Sequence, residues 1–148
     1  MAFVSILANA NSIDSLRNEI IHCVSKYDAK VGVAVMINDT DTLTVNNYDK
    51  YPMMSVFKFH QALAVCHFLQ KKGIPLDSVI NISKKELREN TYSPLRDIYP
   101  EGNIRISLSE LMEYTLQLSD NNACDILFCR IFSVKETDRY IRSLGIDD

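Results

Sequence analysis

The feature of this sequence that constrains its fold most is a helix-length segment, residues 55–72, that is apolar on nearly every side. Gly73 and Pro75 follow it, and both residue types are typical of a helix end. A helix without a polar face is usually buried at the centre of its domain. We therefore expect the other elements to pack around this helix.

Local patterns predict the elements before this helix. Apolar residues at helical spacing predict a first helix over residues 13–27, with Ser12 as its N-cap. The nearly continuous apolar run over residues 31–37 is typical of a strand covered on both faces. Turn-forming residues 38–41 and the alternating residues 42–46 then predict a second strand, paired with the first.

A run of helices is predicted after residue 72. Three Ser-x-x-Glu sequences form capping boxes, in which the serine and the glutamate bond to free amide groups at a helix start. They pair Ser83 with Glu86, Ser107 with Glu110 and Ser133 with Glu136, and they predict helices at 84–90, 108–117 and 134–143. A further helix is expected over residues 121–132.

Composition excludes several classes of protein. The chain of 148 residues is 47% hydrophobic and 24% charged, which is ordinary for a globular domain and excludes a disordered one. The net charge of −3 gives no reason to expect a nucleic-acid partner. No apolar stretch approaches the roughly 18 residues of a membrane span, so none is expected.

The first residues, MAFVSILANA, have two open interpretations. Residues 1–11 are either the remnant of a secretory signal, with Ala8-Asn9-Ala10 as its cleavage site, or an ordinary apolar first turn of a helix.

The predicted strand pair has no further strand to extend it. A lone strand pair is marginally stable in water, so we expect the chain to be a fragment of a larger domain.

The first candidate for chemistry is Ser55-Val56-Phe57-Lys58, at the start of the apolar helix. Positions i and i+3 share a helix face, so the lysine can reach the serine hydroxyl. A serine at a helix start can act as a nucleophile, because the positive end of the helix dipole stabilises developing negative charge. Taken alone, the pattern is common by chance, and a capping serine beside a surface lysine is its more usual explanation.

The second candidate is Ser119-Asp120-Asn121, which alone is typical of a helix N-cap. Together the two motifs form two of the three elements found in class A β-lactamases and penicillin-binding proteins. With Tyr92-Ser93-Pro94 between them, the chain resembles the N-terminal portion of a class A serine β-lactamase. The Cys124-Asp125 pair resembles the extended-spectrum subgroup.

The resemblance implies catalytic roles for three residues. Ser55 would attack the lactam carbonyl and become acylated. Lys58 would help to activate Ser55, either directly or through a water held by a glutamate. Ser119 would pass a proton to the departing lactam nitrogen.

It also implies roles in binding and support. Asn121 would bond to the substrate's side-chain amide and help to position Lys58. Tyr92 would form a wall at the mouth of the site. Asp120 would fix the loop around Ser119, and Asp125 would brace the loop that carries the deacylating glutamate.

The fold class implied is α/β and β-lactamase/transpeptidase-like, with a mostly helical domain and an incomplete antiparallel sheet. Residues 12–148 would be the N-terminal part of a single domain, cut before the deacylation loop and the Lys-Thr-Gly strand. The sequence holds no Lys-Thr-Gly triplet, so we expect the 148 residues alone to be inactive. The full-length protein would be a periplasmic or secreted bacterial monomer with a small β-lactam as substrate.

No metal or other cofactor is expected. His22, His60 and His67 form no zinc-binding pattern, and the cysteines have no Cys-x-x-Cys spacing. The four cysteines lie in apolar helical contexts and are expected to be buried free thiols: Cys23, Cys66, Cys124 and Cys129.

Two alternatives stay open. A penicillin-binding peptidase or transpeptidase shares the serine and lysine but deacylates β-lactams slowly. A non-catalytic fragment or pseudoenzyme would at most bind a ligand or a partner.

Overall fold

The computed structural model describes residues 3–146, with side chains from residue 12 onwards. It divides the chain into two compact units, one ending at Pro52 and the other beginning at Met53. The interpretation of residues 1–11 as a signal remnant falls outside the described side chains, and it stays a prediction.

The first unit is a helix and a strand pair. Helix α1 is Phe3–Val24, and the antiparallel strands are β1, Val33–Ile37, and β2, Asp41–Val45. Three residues connect the strands; Asn38 and Asp39 have φ values of 52° and 58°, the left-handed conformation typical of tight hairpin turns, and the N–H of Thr40 donates to the carbonyl of Ile37. The predicted strand pair and its turn are therefore confirmed.

Two expectations for this unit were wrong. Helix α1 begins at Phe3, so Ser12 lies inside it and does not cap it. Strand β1 was expected to be covered on both faces, but one face is exposed. Its residues alternate between half-buried and exposed, and Met36 is 65% exposed. The best-buried strand residues are instead Leu43 and Val45 on β2.

The second unit carries the remaining helices and a second strand pair. Helix α2 is Phe57–Lys72, and a single 3-10 turn, Met54–Val56, precedes it. The other helices are α3, Pro94–Ile98; α4, Leu108–Gln117; α5, Asn121–Arg130; and α6, Val134–Ser143. Strands β3, Val79–Ser83, and β4, Gly102–Ser107, pair antiparallel.

The core of the second unit forms around α2. Val65 and Leu69 of α2 pack in one apolar cluster with residues from the strand pair and from α4 and α5. The opposite face of α2 is open, since Phe59 is 58% exposed. Helix α2 therefore packs centrally on one side only, although its sequence is apolar all round.

The capping boxes predicted the bounds of α4 and α6 correctly. In both helices the serine hydroxyl accepts from the glutamate N–H, and the glutamate carboxylate accepts from the serine N–H. The box at Ser83 was over-interpreted, because residues 84–86 form only one 3-10 turn. The N–H of Arg88 donates to Asn122 Oδ1, so it makes no helical bond.

The second strand pair was not predicted, and neither was α3. The expectation of buried cysteines was correct for Cys124 alone. Cys23, Cys66 and Cys129 are exposed, and all four thiols are free as expected. Cys124 and Cys129 differ because positions five apart lie on different faces of α5.

No helix among residues 3–146 has the length and apolar character needed to cross a membrane.

Candidate active site

Ser55 lies in the 3-10 turn that leads into α2, with its side chain open to solvent. The preceding residue, Met54, has φ 45°, which is the left-handed region. For a non-glycine residue that conformation costs about 1–2 kcal/mol, and such positions cluster at functional sites. The backbone therefore holds Ser55 in a defined and strained turn at the start of the central helix.

Lys58 lies one turn further along and is only 2% exposed. Its Nζ donates to the carbonyl oxygen of Ser119 at 2.6 Å, to Ser119 Oγ at 3.1 Å and to Asn121 Oδ1 at 2.7 Å. An ammonium group has three donors, so all of them are used. This satisfies a buried cation that would otherwise be costly.

Ser119 connects Lys58 to Ser55. The Ser119 hydroxyl accepts from Lys58 and donates to Ser55 Oγ at 2.9 Å. A direct hydrogen bond between Lys58 and Ser55, which the i, i+3 spacing suggested, is not among the contacts of the described residues. The lysine instead reaches the candidate nucleophile through one intervening hydroxyl.

Asp120 joins the two segments that flank the site. It is fully buried and caps α5 by accepting from the N–H of Ala123. Its carboxylate also accepts from the hydroxyl of Ser93 and from the N–H of Leu95. The Tyr92-Ser93-Pro94 segment is thereby fastened to the turn that carries Ser119.

Asn121 is held from two sides. Its Oδ1 accepts from Lys58, and its Nδ2 donates to Thr91 Oγ1 at 2.8 Å. Its backbone N–H donates to the carbonyl of Tyr92, whose side chain is 60% exposed at the edge of the site. Because a lysine can only donate, the amide oxygen must face Lys58 and the NH₂ group must face outward.

Asp125 lies apart from this group of contacts. Its carboxylate forms an ion pair with Arg88 at 3.0 Å. It also borders an apolar cavity of about 530 Å³, where Phe57 stacks on Phe128 at a centroid distance of 6.0 Å. Asp125 therefore faces a groove between α2, α5 and α6.

Beneath Lys58, α2 and α5 are joined through Gln61 and Cys124. Gln61 is fully buried, and its Nε2 donates to the carbonyl of Cys124 at 2.9 Å. Burial raises the pKa of the Cys124 thiol to about 11, although the positive charge of Lys58 acts in the opposite direction. Cys124 is thus a neutral packing residue at neutral pH.

Some contributing residues were missed in the sequence. Gln61, Thr91, Arg96 and Asn122 contact backbone atoms or a single side chain, and such contacts leave no motif. Thr91 and Asn122 each had a signal, since Thr91 directly precedes Tyr92-Ser93-Pro94 and Asn122 directly follows Ser119-Asp120-Asn121. In the described part of the chain, no group of three or more His, Cys, Asp and Glu side chains is arranged to hold a metal ion.

Chemically, the site offers an exposed hydroxyl linked through a second hydroxyl to a buried amine. Such a chain can transfer a proton, and it is a recurring way of activating a serine. The half-buried NH₂ group of Asn121 lies beside it, and the hydrogen that Thr91 does not accept can bind a carbonyl oxygen.

Comparison with known proteins gives a consistent result. A sequence model of the Beta-lactamase enzyme family matches residues 15–148. A β-lactamase of Bacteroides uniformis is 40% identical over 97% of this chain and 49% of its own length.

Two crystal structures give the same picture. That of the TLA-3 extended-spectrum β-lactamase superposes with a TM-score of 0.87 and 43% identity, over 92% of this chain and 50% of that one. A class A β-lactamase from Bacteroides cellulosilyticus gives a TM-score of 0.80 and 45% identity, over 94% of this chain and 48% of that one. The chain thus spans about half the length of the relatives that it matches.

Proposed function

The chain belongs to the beta-lactamase enzyme family, and on that premise we propose that it carries the acylation machinery of a class A serine β-lactamase. Ser55 is the proposed nucleophile, and Lys58 and Ser119 move the protons. The observation that carries this proposal is the unbroken series of hydrogen bonds from Lys58 through Ser119 to Ser55.

In the proposed reaction, Ser55 Oγ attacks the lactam carbonyl carbon and loses its proton. That proton passes either to Lys58 in its neutral amine form or, through a water, to a glutamate. The carbon–nitrogen bond then breaks, and the lactam nitrogen takes a proton from Ser119. Ser119 can be reprotonated from Lys58 Nζ, which lies 3.1 Å from its oxygen.

Substrate binding is assigned to Asn121 and Tyr92. The outward NH₂ group of Asn121 would donate to the carbonyl of the substrate's side-chain amide. Tyr92, exposed beside it, would form a wall of the site. Asp120 and Asp125 are proposed as structural supports, on the basis of the buried contacts of Asp120 and the ion pair of Asp125 with Arg88.

Hydrolysis of the acyl-enzyme is the step that these residues alone do not explain. The 148 residues contain no Lys-Thr-Gly triplet, and we propose that on their own they turn over little β-lactam. We further propose that the complete protein is a periplasmic or secreted monomer that confers antibiotic resistance.

The test is acylation at Ser55. The protein expressed from its complete reading frame is incubated with benzylpenicillin, quenched in acid and analysed by intact-mass and peptide mass spectrometry. We expect a mass increase equal to one antibiotic molecule, located on the peptide that contains Ser55 and absent in Ser55→Ala. Ser109→Ala, a change at an exposed serine on α4, is the matched control and should acylate normally.

The alternatives predict different outcomes. Slow loss of the adduct over hours would favour a penicillin-binding peptidase or transpeptidase over a β-lactamase. Absence of any adduct on the parent protein would favour a non-catalytic protein. An adduct that persists in Ser55→Ala would exclude Ser55 as the nucleophile.

A further inference from the structure

The loop of residues 88–92 borders the site, and a single side chain gathers its carbonyl groups. Arg96 Nη1 lies 2.8 Å from the carbonyl oxygen of Arg88, 2.8 Å from that of Glu89 and 2.7 Å from that of Thr91. The other side of the guanidinium is held by Asp97, with Arg96 Nη2 at 2.7 Å and Nε at 3.2 Å from Oδ1. The guanidinium is thus fixed at both ends.

The loop is fastened a second time at its beginning. Asn122 is fully buried, and it bonds to the backbone of Arg88 at both the N–H and the carbonyl. The loop is thus hydrogen-bonded to Asn122 at Arg88 and to Arg96 at Arg88, Glu89 and Thr91. Thr91, the last of the three residues held by Arg96, is the one that contacts the site.

Thr91 transmits this constraint to Asn121. Its hydroxyl accepts one of the two hydrogens of Asn121 Nδ2. The second hydrogen is then directed by the plane of the amide, whose oxygen is already held by Lys58. A shift of Thr91 would therefore change the direction in which the free N–H of Asn121 points.

We propose that Arg96 is a positioning residue that orients Asn121, through Thr91, toward the amide carbonyl of the substrate's side chain. This inference rests on the proposed function, since it assumes that Asn121 binds that group. In this role Arg96 does not contact the substrate. Replacing Arg96 should therefore slow acylation only by substrates that possess the side-chain amide.

Two substrates distinguish this role from a general loss of structure. Benzylpenicillin has a side-chain amide, whereas 6-aminopenicillanic acid has a free amine in its place. The rate constant for acylation of Ser55 is measured with each by quenched-flow mass spectrometry. Misplacement of a contact by about 1 Å can lower a rate by about 10²-fold. We therefore expect Arg96→Met to lower the ratio of the benzylpenicillin rate constant to the 6-aminopenicillanic acid rate constant by about 10-fold or more.

The controls use the same chain. Arg105→Met removes the same kind of side chain from an exposed position on β4, and it should leave the ratio unchanged. Arg96→Lys keeps the charge but not the planar fork, so it should give an intermediate ratio. Circular dichroism and thermal unfolding confirm that each variant is folded.

The results separate the two proposals. If the parent is not acylated by either compound, the proposed function fails. If the parent is acylated and Arg96→Met slows both substrates equally or neither, the positioning role of Arg96 is overturned. Failure of both Arg96→Met and Arg96→Lys to fold would overturn it too, because Arg96 would then be a determinant of folding.

Discussion

The hydroxyl of Ser119 donates to the hydroxyl of Ser55 across 2.9 Å, although the two serines are 64 positions apart in the chain. Ser119 has φ 53°, and in this conformation both its carbonyl and its hydroxyl face Lys58. Two polar groups of one residue therefore accept from the buried lysine. The proposed relay depends on the backbone conformation of Ser119 as much as on its side chain.

The first prediction concerns this relay. Lys58→Ala and Ser119→Ala should each slow the acylation of Ser55 by about 10²–10⁴-fold, which is the usual contribution of a general acid or base. Single-turnover acylation by benzylpenicillin, followed by mass spectrometry, measures the effect. Lys72→Ala, at the exposed end of α2, is the control and should acylate at the parental rate.

Circular dichroism must show that both relay variants retain their fold. Acylation at normal speed in a folded Ser119→Ala protein would remove Ser119 from the mechanism. The same result for Lys58→Ala would remove Lys58.

The second prediction concerns the stability of the turn. Asp120→Asn replaces one buried carboxylate oxygen by an NH₂ group, which would then face an N–H or O–H donor. A buried donor left without an acceptor costs about 1–3 kcal/mol, and we expect a loss of that size in the free energy of unfolding. Urea denaturation followed by circular dichroism measures it.

Asp138→Asn provides the comparison for Asp120. Asp138 forms an exposed i, i+4 pair with Arg142, and such pairs contribute about 0.3–0.5 kcal/mol. A loss in Asp120→Asn no larger than in Asp138→Asn would show that the buried contacts of Asp120 are unimportant.

The third prediction concerns pH. Hydrogen bonds from the hydroxyl and the N–H of Ser107 lower the pKa of Glu110 below its usual 4.5. A carboxylate with a lowered pKa in the folded state stabilises the fold above about pH 4.5, and this contribution is lost as the pH falls through the folded value. The difference in melting temperature between the parent and Glu110→Gln should therefore shrink between pH 6 and pH 3.

Glu113→Gln lies on the same helix outside the capping box, and it serves as the control. A pH-independent difference between the parent and Glu110→Gln would contradict the role of the ionised carboxylate. A pH-dependent difference of equal size in Glu113→Gln would show that the effect is not specific to the cap.

The fourth prediction concerns the thiols. Cys124 is buried and its pKa is raised to about 11 by burial, whereas the thiolate is the reactive form of cysteine. Iodoacetamide at pH 8 should therefore label Cys23, Cys66 and Cys129 in the folded protein and leave Cys124 unmodified. Peptide mass spectrometry identifies the labelled sites.

In urea all four thiols should react, which confirms that Cys124 is able to do so once exposed. Rapid labelling of Cys124 in the folded protein would contradict its burial beneath Lys58.

Elements with local signals were the ones that the sequence predicted well. The bounds of α4 and α6 follow from capping boxes, which involve residues three apart. The pairing of β3 with β4 was missed because it joins Val79 to Ser107 across 28 positions, although each strand alternates between inward-facing and exposed residues. The helix predicted at 84–90 is only a turn at 84–86, because the N–H of Arg88 bonds to Asn122, 34 positions away, and not to a helical carbonyl.

The site shows the same difference between local sequence signals and contacts between distant positions. The residue types of Ser55, Lys58 and Ser119 indicated the chemistry, but the sequence could not show that Ser119 stands between the other two. The contacts of Arg96 and Asn122 with backbone carbonyls depend on where the loop of residues 88–92 runs. Only the folded chain reveals them.

The burial of Lys58 also has a consequence for the order of events on the ribosome. Its three hydrogen-bond acceptors belong to Ser119 and Asn121, which are synthesised 61 and 63 residues later. At about 5–20 residues per second, translation needs roughly 3–13 s to supply them. Until then a docked α2 would hold a buried cation without acceptors, so the nascent helix must keep its lysine in water while the rest of the chain emerges.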